Sequence, residues 1–417
     1  MDIISSGMPR ALRGLGLALL LALPACDDDD QPRRAEYAVW SASPQSYDEL
    51  APFPGAMPPV PVEVRDQTLR QIAHLSAGGD ALRIELSNLF GSEPLTIAAA
   101  GIAVSSGADA IDANGSLPIT FAGQTGLTLA PGAAVVSDYA ALSVAPETDV
   151  AVSLYIAGAA PLSTVHTLGL QSSFVAPGNR VSDPALPGAE IRQSYSWLTR
   201  IDARSTQHPQ VIVAFGDSIT DGYASTPNEN RRYPNELSRR LLEQLGPGQA
   251  SLVNAGISGN RVLNDVVGPA GVSRFARDVL GTTGASHVIV LLGINDVGFS
   301  GFLPEQSVSA DEIIDGLARI VATANANGVR PFLGTLLPLQ GTAAPYYNEA
   351  AELKRQLVNE WIRGDNGAAG VIDFDRALQD PAHPLALPAE YDSGDHLHPN
   401  DAGYAAMADA VDAELFR

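Results

Sequence analysis

The sequence predicts a chain in two parts, an all-β sandwich followed by an α/β domain built on a parallel sheet, and three observations carry that reading. A length of 417 residues at 45% hydrophobic composition exceeds what one ordinary core accommodates, so two domains after a short leader are expected. From Ala35 to Ala203 short runs of alternating polarity are punctuated by Gly, Pro and Asp. From Gln210 onward apolar runs alternate with helix-like stretches.

In the first part, Leu82-Arg-Ile84-Glu-Leu86 and Val150-Ala-Val152-Ser-Leu154-Tyr-Ile156 alternate core and surface positions, as half-buried strands do. Turn residues recur between such runs, at Gly78-Gly79, Gly91, Gly107, Asn114-Gly115, Pro131-Gly132 and Pro177-Gly178. Short strands separated by turns predict an antiparallel sandwich over residues 35–203. It either shields and extends a cleft or binds carbohydrate and orients substrate, because fold class alone does not establish binding.

In the second part, over residues 208–417, strands are expected at 211–215, 251–254, 288–292, 331–336 and 371–374, and helices at 233–245, 311–327, 346–363 and 401–415. Such alternation implies a parallel sheet covered on both faces, with functional loops at the carboxyl ends of its strands. Four short blocks occupy those loops or the helix starts. They are Gly216-Asp217-Ser218-Ile219-Thr220-Asp221-Gly222, Asn254-Ala-Gly256-Ile-Ser-Gly259-Asn260-Arg261, Gly293-Ile294-Asn295-Asp296 and Asp395-His396-Leu397-His398-Pro399-Asn400. A serine hydroxyl is a poor nucleophile until an imidazole removes its proton, and the imidazole needs a carboxylate on its other nitrogen to fix its tautomer and balance transient charge. Ser218, His398 and Asp395 supply those three groups. Each block also has a plainer use: Ser218 as a turn or cap residue, Gly256 and Gly259 as turn formers, Asn295-Asp296 as an Asx turn or helix cap.

Taken together, the four blocks resemble the SGNH subgroup of the GDSL hydrolases, which carry Gly-Asp-Ser, a glycine, Gly-x-Asn-Asp and Asp-x-x-His in that order. The resemblance implies a flavodoxin-like sheet, Ser218 as nucleophile, His398 as base and Asp395 as its orienting acid. It also implies an oxyanion hole from the Ser218 and Gly259 backbone amides and the Asn295 side chain, with Gly259 chosen over Gly256 by the family alignment. The expected activity is ester hydrolysis without metal or cofactor, with short acyl esters favoured, above all acetyl groups on a polysaccharide. A lysophospholipase or thioesterase specificity and a non-enzymatic carbohydrate-binding surface protein are the alternatives. The pair His396-x-His398 raises a metal site, but no Cys lies nearby and no HExxH occurs. Gly-x-Ser-x-Gly, a phosphate loop and Gly-x-Gly-x-x-Gly after a strand are also missing, which argues against α/β-hydrolase, P-loop and dinucleotide chemistry.

Twenty-five basic against 47 acidic residues, a net charge of −22, repel nucleic acid and anionic lipid surfaces. The single cysteine, Cys26, cannot form an internal disulfide. It follows an apolar run preceded by Arg10 and Arg13, so residues 1–25 read as a signal peptide. Leu23-Pro24-Ala25-Cys26 resembles a bacterial lipobox, which implies export, lipidation of Cys26 and membrane attachment through that anchor alone; an ordinary secreted protein is the alternative. Residues 26–34, with Asp27 to Asp30, read as a solvated acidic tether rather than a calcium loop, which would need alternation and a glycine. Oligomeric state is not legible.

Overall fold

The computed structural model describes residues 34–49 and 62–417. The expected signal peptide, Cys26, the acidic run and the Pro/Ala-rich segment 51–61 lie outside the described residues.

Antiparallel strands build the first part. The longer ones are β1 (Ala35–Ser41), β2 (Glu63–His74), β3 (Ala81–Ser87), β4 (Ala99–Gly107), β5 (Asp149–Pro161), β6 (Thr164–His166), β7 (Ser173–Pro177) and β8 (Leu198–Ser205). One sheet runs β1, β8, β3 and the short Ala134–Val136 strand; the larger one centres on β7, β2, β5 and β4. Their facing sides fill one core through Leu69, Leu82, Ile84, Ile102, Val152 and Ile201. The expected alternation holds on this inner face only. The outer face of the larger sheet is also covered in its middle, where Ile72, Ala103, Ala151 and Phe174 pack with Leu186 in a second small cluster. Buried Arg70 anchors that cover, donating to the carbonyls of Asp109 and Asp183 at 2.7 Å each. Small residues at Ala151 and Ser153 on β5 leave room for it, so the strand's solvent-like positions are filled by loop rather than water.

The second part alternates β9 (Gln210–Gly216), α1 (Ser218–Asp221), α2 (Tyr233–Leu245), β10 (Ala250–Gly256), α3 (Gly271–Phe275), β11 (Ala285–Leu291), α4 (Ile294–Gly298), α5 (Ala310–Ala326), β12 (Arg330–Gly334), α6 (Glu349–Arg363), β13 (Gly370–Ile372), α7 (Phe374–Leu378) and α8 (Asp401–Asp409). The five strands form one parallel sheet in the order β10-β9-β11-β12-β13, the flavodoxin-like arrangement whose switch point lies beside the first strand. Central β9 is buried from Val211 to Gly216, as a strand covered on both faces must be. Ends differ where local chemistry intervenes. α6 starts at Glu349 because the Asn348 side chain caps Ala351 N–H, and α8 stops at Asp409, with a 3-10 turn at Ala413–Phe416. The short helices α1, α3, α4 and α7 carry too few turns to show a period in sequence.

The described residues pack as one unit. β1 lies against β10: Ser251 Oγ donates to Ala38 O at 2.6 Å and Ser41 Oγ to Asn254 O at 2.7 Å. Leu252 N–H donates to Ser76 Oγ at 3.1 Å. No helix among the described residues is long and apolar enough to cross a membrane.

Candidate active site

Three neighbouring strands, β10, β9 and β11, deliver the second, first and third sequence blocks to the same end of the sheet. Ser218 opens α1 directly after β9, and Asp217 caps that helix by accepting from Ile219 N–H at 3.1 Å. A helix's first N–H groups have no intrahelical acceptor, so the Ser218 amide is left available.

The end of β10 and the loop after it are tied to β9 and α1 at three points. Ile257 N–H donates to Gly216 O, Asn254 Nδ2 to Thr220 O at 2.8 Å, and Ser258 N–H to Asp221 Oδ2 at 3.0 Å. Such close approach requires a glycine at 256, where a Cβ would stand 2.4 Å from Asp221 N. Gly259 follows in the left-handed region at φ +80°, and its N–H has no partner among the described residues. Both glycines of the block are thus needed, one for packing and one for backbone conformation.

Asn295 sits in α4, whose cap is Gly293 rather than a side chain, so neither the Asx-turn nor the side-chain-cap reading describes it. Its Nδ2 donates to Asn260 O at 3.0 Å and its Oδ1 accepts from Tyr346 Oη at 3.0 Å. That pins the amide plane and leaves the second Nδ2 hydrogen uncommitted. Neighbouring Asp296 is fully buried and accepts from Val262 N–H at 2.7 Å, which holds the chain just beyond Asn260. Burial pushes its carboxyl up to about 6, against the opposing charge of Arg261.

The fourth block is held by its own backbone. Asp395 Oδ1 accepts from Leu397 N–H at 2.9 Å and His398 N–H at 2.8 Å, while its Oδ2 meets His398 Nδ1 at 2.6 Å. Burial raises the Asp395 carboxyl, but the hydrogen bond and charge of His398 and these amides outweigh it, holding it well below the usual carboxylate range. With Nδ1 donating to Asp395, Nε2 is the accepting nitrogen, and it lies 2.8 Å from Ser218 Oγ. The sequence-predicted Ser218, His398 and Asp395 are therefore brought into one hydrogen-bonded chain. His396 is not: its Nδ1 pairs with Asp392 at 2.6 Å. Among the described residues no group of three or more His, Cys, Asp or Glu is placed to hold a metal ion.

Three residues escaped the sequence reading. Buried Arg274 donates to Gly216 O, Ala255 O and Asn260 Oδ1 at 2.7–2.9 Å and pairs with Asp278 at 2.8 Å, joining the ends of β9 and β10 from behind. An arginine and an aspartate four apart, flanking Phe275, were its only trace. Tyr223, 43% exposed, sets its ring 4.3 Å from that of His398. His166, from the sandwich, meets Asp221 of α1.

A serine, a histidine and an aspartate joined in one hydrogen-bonded chain, beside unpaired N–H groups at the strand ends of a parallel sheet, form the arrangement of a serine-type hydrolase. Residues 214–406 match the model of the GDSL-like Lipase/Acylhydrolase family, and the chain has a GDSL/SGNH-type hydrolase fold, with a C-terminal parallel sheet domain behind an N-terminal antiparallel sheet domain. Among solved structures the chain is similar to a GDSL-like lipase from Bacteroides thetaiotaomicron, with 22% identity, 49% of this chain and 87% of that chain covered, and a TM-score of 0.37. It is also similar to a variant of an acetyl xylan esterase from Geobacillus stearothermophilus, with 24% identity, coverages of 48% and 92%, and a TM-score of 0.38. An alpha/beta hydrolase enzyme from the metagenome of Lake Arreo, Spain, gives 24%, 48%, 92% and 0.38 in the same order. No curated protein matches the chain.

Proposed function

We propose that the protein is an exported serine esterase that removes short acyl groups, above all acetyl, from a neutral carbohydrate. The observation carrying the reading is the contact of Ser218 Oγ with His398 Nε2 at 2.8 Å, in line with the 2.6 Å contact of His398 Nδ1 with Asp395. In this reading Ser218 Oγ attacks the ester carbonyl carbon as His398 Nε2 takes its proton, and Asp395 stabilises the imidazolium. The Ser218 and Gly259 N–H groups and the free Asn295 Nδ2 hydrogen hold the oxyanion. Collapse breaks the ester C–O bond, and His398 returns the proton to the departing alcohol. Water repeats the sequence on the acyl-enzyme, releasing the acid and restoring Ser218.

The substrate class rests on two features. Tyr223 offers an exposed ring face beside the reacting groups, suited to the flat apolar side of a sugar. A net charge of −22 disfavours polyanionic substrates through repulsion that salt weakens. The test is an acyl-length series of aryl esters beside acetylated xylan and a lysophospholipid. Peak kcat/KM at acetyl or butyryl with acetate released from xylan supports the reading, and a maximum at long chains or on the lysophospholipid replaces it with a lipid-directed hydrolase. Ser218→Ala should abolish turnover in every case; retained activity removes the serine mechanism. The proposal extends to attachment through a lipidated Cys26, for which Cys26→Ser should release the protein from bacterial membranes.

A further inference from the structure

Asp221 is the last charged residue of the first sequence block, yet the esterase mechanism gives it no task. It is 2% exposed, and its two carboxylate oxygens face different parts of the molecule. Oδ2 accepts from Ser258 N–H, the residue before Gly259. Oδ1 meets Nε2 of His166 at 2.9 Å. His166 ends β6 in the sandwich, is itself 6% exposed, and sets its other ring nitrogen 3.0 Å from Ser43 O. A carbonyl and a carboxylate both accept, so each ring nitrogen of His166 needs a proton and the ring is an imidazolium paired with the Asp221 carboxylate.

We infer that His166 is a positioning residue for the hydrolase: through Asp221 and the Ser258 amide, the sandwich holds the Gly259 N–H where the oxyanion forms. This rests on the esterase reading. Asp221 lies three residues after Ser218 on the same helical turn, so the one carboxylate spans the nucleophile's helix and the oxyanion loop. His166 pairs with Oδ1 in this buried place, which leaves Oδ2 turned to the Ser258 amide. Burial pulls His166 down, but Asp221 and Ser43 outweigh it and its proton is held above the ordinary imidazole value. The other charged or titratable groups facing the pair are Arg232 ahead of α2, Arg274 of α3, Tyr195 beside the His166 ring and Tyr404 of α8. Arg232 is occupied with Gly169 O, and Arg274 with the carbonyls behind β9 and β10, so neither replaces His166 at Oδ1.

The experiment compares His166→Gln with Ser218→Ala and Ser76→Ala in the full chain, on acetyl aryl ester, reading kcat, KM and Tm. Ser76 links the sandwich to the opposite end of β10, so its loss weakens the seam without touching the catalytic loops. His166→Gln is expected to lower kcat ten- to a hundredfold at nearly constant KM, because without its partner at Oδ1 the carboxylate no longer fixes the Ser258 amide and the Gly259 N–H beyond it. Ser76→Ala should lower Tm alone. If Ser218→Ala is dead while His166→Gln matches wild type in kcat, this inference is overturned and the esterase reading stands. Parallel losses of Tm and activity in His166→Gln and Ser76→Ala, with no kcat loss particular to His166→Gln, overturn it in favour of a purely structural seam. Active Ser218→Ala removes the reading beneath it. Should His166→Gln fail to fold, Asp221→Asn serves: it keeps an acceptor for Ser258 but gives up the ion pair with His166, so kcat should fall at nearly constant KM, and wild-type kcat there overturns the inference.

Discussion

The two banks of the candidate site are held in opposite ways. His398 and Asp395 sit on a loop whose geometry is set by residues within it: Asp395 accepts from the amides two and three residues on, and Asp392 accepts from Gly394 N–H and His396 N–H. Ser218, Gly259 and Asn295 are held from behind, by Arg274, Asp296, Tyr346 and, across from the sandwich, His166. One bank is local and partly exposed; the other is buried and assembled from segments more than a hundred residues apart. Damage to the first should therefore remove chemistry and leave stability, while damage behind the second should cost both.

The largest effect tests the local bank. His398→Gln should lower kcat by roughly 10⁴-fold or more with an unchanged melting curve, whereas His396→Gln should stay within a few-fold of wild type, since His396 is turned to Asp392. Equal and complete loss in both would reopen the metal reading of the His-x-His pair, and a chelator titration would decide it. The buried bank is broken most directly by Arg274→Met. Three acceptors, Gly216 O, Ala255 O and Asn260 Oδ1, would lose a buried donor, and about 3–5 kcal/mol of stability should go with them, near 10 °C in Tm. A melting curve like wild type would show that the strand ends hold without it. Asn295→Ala is smaller and sharper, about a hundred- to a thousandfold in kcat with little change in KM, because its free N–H matters only once the oxyanion forms. A pure KM effect would instead make Asn295 a substrate-binding residue.

The same contrast explains what the sequence could reveal. Asp395-x-x-His398 is legible because its working contacts are among the residues that spell it. Ser218 and Asn295 are legible as positions after apolar strands, and the alternation from 210 onward gives the parallel sheet; α2 even matches its expected span at Tyr233–Leu245. What supports them is not legible, because Arg274 is one arginine among many and His166 stands 55 residues from the Asp221 it meets. Nothing local marks either as buried. In the sandwich, alternation reads strands correctly but cannot say that β5's outward side is roofed by the loop carrying Leu186, since that depends on a segment distant in sequence.

The smallest prediction concerns Asp217, which belongs to both banks' problem: it must cap Ser218's helix from a site without water. Its Oδ1 accepts from Ile219 N–H, but Oδ2 is buried with no partner, and burial, reinforced by Asp296, pushes the carboxyl up to about 7. A carboxyl raised in this way binds its proton more tightly folded than unfolded. Its contribution to stability is complete below the unfolded value near 4, fades as pH rises, and is gone above about 7. Asp217→Asn keeps an oxygen for Ile219 N–H and does not titrate, so the variant should melt at or below wild type at pH 5 and above it, by about 3 °C, at pH 8. A Tm difference that stays constant across that range would mean Asp217 carries no such shift. Because the cap is retained, kcat at pH 8 should change little, which separates the electrostatic cost of burying this carboxylate from the positioning of the serine it introduces.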